Sequence, residues 1–205
     1  MSKEIRAFNF EVRAEQNDEH GHYITGQPIV YNERTDLGWY DEIIENDALA
    51  DTDLRDVRFL INHNTDMIPL ARSRNNNANS TMQMEVVSGV GMTIRVDLDT
   101  ENNSDSRSLY SAVERGDITG MSFMFTVDKD SWDDLESEHP TRHIRSIGRV
   151  FEVSAVTFPA YEATSIQARG LADALESAKA SLESAKAEVR KTERKKQIIR
   201  ILAEV

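Results

Sequence analysis

Gly120-Met121-Ser122-Phe123-Met124-Phe125 sets one hydroxyl into a run of large apolar side chains. Side chains alternate along a strand, so Phe123, Phe125 and Val127 share one face while Ser122, Met124 and Thr126 share the other. A hydroxyl taken out of water costs free energy unless something bonds to it. Two readings follow. Ser122 is either a structural serine bonded to a neighbouring carbonyl, or a nucleophile, which needs a histidine as base. The chain has five histidines, and His63 ends a similar strand, Asp56-Val57-Arg58-Phe59-Leu60-Ile61-Asn62-His63-Asn64. In that run Val57, Phe59, Ile61 and His63 are expected on one face.

The rest of the chain sets limits on what such a pair can belong to. With 205 residues and 39% apolar content, one sizeable core can be buried, with room for a helical appendage. The formal charge of -12, from 36 acidic and 24 basic residues, repels a phosphate backbone, so direct nucleic-acid binding is not expected. The absence of cysteine removes disulfides, thiolate zinc sites and cysteine nucleophiles together. The charged start Met1-Ser2-Lys3-Glu4-Ile5-Arg6 lacks the apolar stretch of a signal peptide, and no later run has membrane-spanning length. A soluble intracellular protein with no membrane partner is expected.

Taken in order, the chain predicts strands over 5–13 and 23–31, the second interrupted at Pro28, which calls for an edge or a bulge. Residues 40–44 read as extended and 46–50 as a short helical turn. Met82, Met84 and Val86, then Met92, Ile94, Val96 and Leu98, alternate about a glycine-containing turn and predict a hairpin. Leu109, Ala112 and Val113 predict a helix ending at Gly116. The acidic run 128–139 reads as a solvated loop, because Trp132 falls at a ligand position of a calcium loop and no glycine makes its turn. His139 and His143 flank Pro140 and read as surface histidines. Residues 142–158 are expected to be extended, with Val150, Glu152, Ser154, Val156 and Phe158 sharing a face. From Gly170 the composition turns to alanine, leucine, glutamate and lysine, which predicts a long helix. The division expected is 1–169 for the globular domain and 170–205 for a helical extension, in a mainly β, α+β fold.

His63, Ser122 and Glu152 stand out together as polar groups on apolar strand faces. Brought into contact they would make a nucleophile, a base and an orienting acid; kept apart, each would serve a structural network. No metal or cofactor site is expected.

Four stretches also carry a resemblance. Gly26-Gln27-Pro28-Ile29-Val30-Tyr31-Asn32, Val57 to Asn64, Gly120 to Phe125, and Glu152-Val153-Ser154-Ala155-Val156-Thr157-Phe158-Pro159-Ala160-Tyr161 resemble, in order, the motifs of the tailed-phage prohead maturation proteases. The resemblance spans about residues 5–169. It implies that Ser122 is the nucleophile and His63 the base, with Glu152 at the family's acidic position as third member of the triad. The family is distantly similar to herpesvirus assemblin, so the fold implied is a compact β-barrel with a few surrounding helices, here with a long C-terminal helix added. The chain departs from the family's pattern at Pro69-Leu70-Ala71-Arg72, where a glycine usually precedes the arginine. The implied activity is that of a serine endopeptidase cleaving scaffold and capsid-protein segments during procapsid maturation. Its implied partners are the phage major capsid protein and scaffold, the chain itself being a further candidate substrate, and its implied place is the assembling procapsid in the host cytoplasm. The alternative is a non-catalytic barrel serving as a scaffold or capsid-assembly module.

Overall fold

The computed structural model describes residues 3–8, 12–19, 21–157 and 165–203. Within them the order is β1 (Glu4–Phe8), β2 (Val12–Asn17), β3 (Gly21–Val30), β4 (Arg34–Asp36), β5 (Asp41–Ile44), β6 (Asp56–Ile61), β7 (Ala71–Arg74), β8 (Met82–Val87), β9 (Gly91–Asp97), α1 (Ser104–Glu114), β10 (Gly120–Asp133), β11 (Thr141–Val156) and α2 (Ser165–Ala203). Phe158 to Tyr161, the end of the last motif quoted above, lie outside the described residues.

The described strands make two sheets. One runs β1-β10-β11-β5-β4, with β6 on β11 and β7 on β6; the other runs β2-β3-β9-β8. Ile24, Met92 and Val96 from one sheet and Phe59, Phe123, Phe125 and Val153 from the other fill a common core. Burial of this apolar surface is the main stabilising term.

The expected closed barrel is not formed. Closure needs a continuous ladder, and none joins the two sheets among the described strands. Where β7 comes up to β8, side chains take the place of strand pairing: the Arg72 amide donates to Thr81 Oγ1 at 2.9 Å, the Arg74 amide to Ser80 Oγ at 2.9 Å and the Met84 amide to Asn76 Oδ1 at 2.9 Å. These bonds satisfy edge amides that a ladder would otherwise occupy.

Much of the local reading holds. The β3–β9 register slips between Gly26 and Ile29, at Pro28, and the β8–β9 hairpin spans the alternating residues. Asn103 caps α1 by accepting from the amides of Asp105 and Ser106, and Gly116, at φ 78°, follows its end. Four expectations change. The one strand expected over 5–13 is divided between β1 in the first sheet and β2, from Val12, in the second. Residues 46–50 form turns rather than a helix. Asp128 to Asp133 belong to β10, because Trp132 is buried and Asp130 is held by Arg142 at 2.7 Å and Ser181 at 2.7 Å. The C-terminal helix starts at Ser165, ahead of the change in composition.

Ala174, Ala178 and Leu182 of α2 are buried, the last two in a cluster with Tyr40 and Trp132. Ser177 donates to Glu4 at 3.0 Å, and Trp132 Nε1 donates to Ser181 at 3.0 Å. From residue 187 every described residue of the helix is exposed.

Candidate active site

β10 and β11 pair antiparallel, with Ser122 opposite Ser154 and Met124 opposite Glu152. On the far side of β11, β6 runs parallel to it, with Leu60 beside Ser154 and Arg58 beside Glu152. Directly paired residues point to the same side of a sheet, so Ser122 and Ser154 are neighbours with Cβ atoms about 5 Å apart.

His63 does not continue the apolar row of β6. The strand ends at Ile61, and Asn62 and His63 both take left-handed backbone, φ 51° and 57°, a region that Asn and His enter more readily than most residues. This turn is fastened to the end of β11. The Asn62 amide donates to the Ala155 carbonyl at 2.9 Å, Asn62 Nδ2 donates to Thr157 Oγ1 at 3.0 Å, and the Thr157 amide donates to Asn62 Oδ1 at 2.9 Å. The His63 amide donates to Ser154 Oγ at 3.1 Å.

The turn sets the imidazole against Glu152, with Nδ1 at 2.5 Å from Oε1 and both side chains no more than 4% exposed. A carboxylate only accepts, so Nδ1 is the donor in this contact, and in the neutral ring that tautomer leaves the lone pair on Nε2. The other carboxylate oxygen, Oε2, accepts the Ser154 hydroxyl at 2.5 Å. His63 Nε2 is buried and has no hydrogen-bond partner among the described residues.

Of the three residues singled out in the sequence, His63 and Glu152 meet. Ser122 lies one strand spacing from Ser154 but is not bonded to His63. It is fully buried, and its hydroxyl donates to the Arg6 carbonyl of β1 at 2.7 Å. The Arg6 guanidinium is itself fixed, to Glu42 Oε2 at 2.6 Å and Glu4 at 2.7 Å.

Beside Glu152 lies a cavity of about 300 Å³ whose wall includes Leu60, Met67, Met124 and Phe151, with Lys3 and Arg58 also lining it. Larger hollows, of about 490 Å³ on the second sheet and about 770 Å³ along 132–137, include none of the site residues. The cavity at Glu152 is the relevant one because it touches the histidine's partner.

His139 and His143 are remote. His143 pairs with Glu45 at 2.5 Å and His139 with Asp41 at 3.0 Å, near the start of β11, roughly 30 Å along the strand from Glu152. Asp36, Asp41 and His139 bring ligand atoms within 4.8 Å of one another. Since Asp41 already binds His139 and Arg34 at 2.9 Å, the group is an ion-pair cluster. Ser154 and Asn62 went unnoticed as site residues in the sequence, although Ser154 carries the same signal as Ser122: a hydroxyl two residues from Glu152 on an apolar strand.

A buried histidine–carboxylate pair one strand from a serine has the parts of a serine-hydrolase site, with the bond between serine and histidine not made. Residues 8–178 match the family model described as caudovirus prohead serine protease, and the chain belongs to that family. It is accordingly a serine endopeptidase of the phage prohead, acting in capsid maturation on capsid or scaffold proteins. No curated protein and no solved structure matched the chain. No helix among the described residues is long and apolar enough to cross a membrane.

Proposed function

We propose that Ser122 is the nucleophile, His63 its general base and Glu152 the carboxylate that orients His63, and that the substrates are scaffold and capsid-protein segments inside the assembling procapsid. The observation that carries this reading is His63 Nε2, a buried nitrogen with no partner while Nδ1 is held to Glu152. A buried polar atom without a partner is costly and is retained where chemistry needs it. In the reaction Nε2 takes the Ser122 proton as Oγ attacks the peptide carbonyl, and Glu152 stabilises the imidazolium. Nε2 then returns the proton to the departing amine, and water repeats the sequence on the acyl-serine.

Attack requires Ser122 to exchange the Arg6 carbonyl for Nε2. Catalytic hydrogen bonds are commonly completed only when substrate is bound. The cavity beside Glu152 would take a substrate side chain against Leu60, Met67 and Met124. The exposed end of α2, with Ile198, Ile199, Ile201 and Leu202 in solvent, is the surface by which capsid or scaffold protein would hold the enzyme.

The Ser122–Arg6 bond favours the competing reading of Ser122 as a satisfied structural serine. Fluorophosphonate labelling followed by peptide mapping separates the two. The expected label is on Ser122 and is lost in His63→Ala; a label on any other serine, or none on active protein, rejects the assignment.

A further inference from the structure

Ser154 is fully buried, and both ends of its hydroxyl are in use. Its oxygen accepts the His63 amide at 3.1 Å, and its proton goes to Glu152 Oε2 at 2.5 Å. One side chain therefore touches the base's backbone and the base's orienting carboxylate at once. We propose that Ser154 is a positioning residue that sets the His63–Glu152 pair. The proposal rests on the reading of His63 as base, and it concerns how that base is held.

Three features support it. The contact to Glu152 leaves only Oε1 for Nδ1, so the carboxylate cannot rotate to offer either oxygen, and the imidazole has a single partner direction. The contact to the His63 amide pins a left-handed residue whose backbone departs from the strand, and such a conformation persists only where its surroundings hold it. A weak grip on a general base matters because displacement by about 1 Å costs roughly 100-fold in rate. Ser154 is also the direct pair of Ser122, so the same residue spaces the nucleophile's strand from the base's carboxylate.

A structural hydroxyl elsewhere satisfies its proton with a backbone carbonyl, as Thr52 does with Ile147 at 2.7 Å. Ser154 instead spends its proton on a carboxylate that already has a histidine, within a pair that is nearly inaccessible to water. A hydrogen bond to a charged acceptor of this kind is shorter and stronger than a neutral one and fixes geometry accordingly.

The test uses the full chain with Ser154→Ala, Ser154→Thr and Ser154→Cys. Two readouts are taken: kcat and KM on capsid protein, and the low-field proton resonance of His63 Nδ1–H, which reports its bond to Glu152 without reference to turnover. Ser154→Ala and Ser154→Cys are expected to lower kcat about 100-fold with KM within about twofold, and to shift or broaden the Nδ1–H resonance. Ser154→Thr keeps the hydroxyl and is expected to recover the resonance and most of kcat. An unchanged resonance in well-folded Ser154→Ala overturns the proposal, as does fluorophosphonate labelling at Ser154, which would make it the nucleophile. Normal resonance changes together with no label at Ser122 in wild type would reject the assignment of Ser122 and leave the role of Ser154 standing. If Ser154→Ala does not fold, Ser154→Cys carries the same comparison at nearly constant volume.

Discussion

Two buried polar clusters are built on the larger sheet, one at β1 and one where β6 meets β11, and they are finished differently. In one, Arg6, Arg142, Glu4 and Glu42 are almost wholly inaccessible and bonded to each other many times over: Arg6 Nε to Glu42 Oε1 at 2.5 Å, Arg142 to Glu4 at 2.8 and 3.1 Å, with Asp130 and Ser177 closing the rim. Burial alone would push Glu4 up, but Arg6 and Arg142 hold it below the ordinary carboxylate value of 4.5. Burial pushes the neighbouring Tyr40 up to about 12. Two arginines and two glutamates cancel each other, as buried charges must. The other cluster, His63, Glu152 and Ser154, is just as dry, yet it keeps one nitrogen without a partner. Tyr31 Oη, Trp39 Nε1, Ser73 Oγ, Ser106 Oγ and Arg149 Nε are without a hydrogen-bond partner as well among the described residues, so what sets His63 Nε2 apart is its place opposite a nitrogen held by Glu152. The contrast sets an ion-pair core beside the cluster proposed to be catalytic, and residue type alone would not tell them apart, since both contain carboxylates and basic nitrogens.

The largest expected effect falls on the open cluster. Ser122→Ala and His63→Ala should each lower capsid-protein cleavage by about 10⁶-fold, and the double variant should be little worse, because triad members act as a unit. Melting temperatures should stay near wild type for Ser122→Ala. Near-normal cleavage by Ser122→Ala would place the nucleophile elsewhere and dissolve the contrast.

Glu152→Gln comes next. It keeps the shape and removes the charge, so cleavage should fall by roughly 10³- to 10⁴-fold, less than for Ser122, because the imidazole retains a hydrogen-bonding neighbour but loses the stabiliser of its charged form. Turnover and a pH–rate profile matching wild type would make Glu152 structural and move it into the company of Glu42.

The closed cluster should show the opposite signature. Arg142→Met leaves Glu4 and Glu42 with one guanidinium between them, and removing one partner of a buried ion pair costs about 3–5 kcal/mol. Urea unfolding should show that loss, while specific activity of the folded fraction changes little. The pH dependence sharpens the point. Because Glu4 is held below 4.5 in the folded protein, its contribution is fully present above that value and is lost as pH falls through its lower folded value. Stability of wild type should therefore drop on acidification below 4.5, and Arg142→Met should flatten that drop. An acid limb of equal steepness in both proteins would mean that the cluster does not depend on Arg142.

What could be read from the sequence divides along the same line. Gly116 and Pro28 act on their own few residues, so the helix stop and the bulge were legible. His63 and Glu152 were legible because a polar side chain interrupts an apolar row. Where His63 points was not: Asn62 and His63 leave the strand through a turn whose bonds go to Ala155, Thr157 and Ser154, some 90 residues away. The acidic stretch 128–133 looked solvated for the same reason, since its partners Arg142 and Ser181 are known only once the chain is folded. The barrel failed as an expectation because edges sealed by Thr81, Ser80 and Asn76 side chains look, in sequence, like any polar loop.

The smallest expected effect on fold and chemistry comes from the end of α2, and it tests the proposed division of the chain into a globular domain, 1–169, and an extension, 170–205. The helix crosses residue 170 without a break, and its contacts with the body run through Ala174, Ser177, Ala178, Ser181 and Leu182. Beyond them, residues 187–203 are exposed, carry six cationic and two acidic residues, and present Ile198, Ile199, Ile201 and Leu202 to solvent. A helical segment of this length is marginal by itself in water, so partner contacts are what would make it useful. A chain ending at Ala187 should keep its unfolding midpoint and label at Ser122 at the wild-type rate, yet be taken into procapsids poorly when co-expressed with capsid protein. A chain ending at Arg169 removes the Ser177 bond to Glu4 and the cover over Tyr40 and Trp132, and should lose stability as well as recruitment. If both truncations fold and label alike, the division at 169 stands and the packed half of α2 contributes little. If the Ala187 chain enters procapsids normally, recruitment belongs to the body of the enzyme, and the exposed isoleucines need another partner.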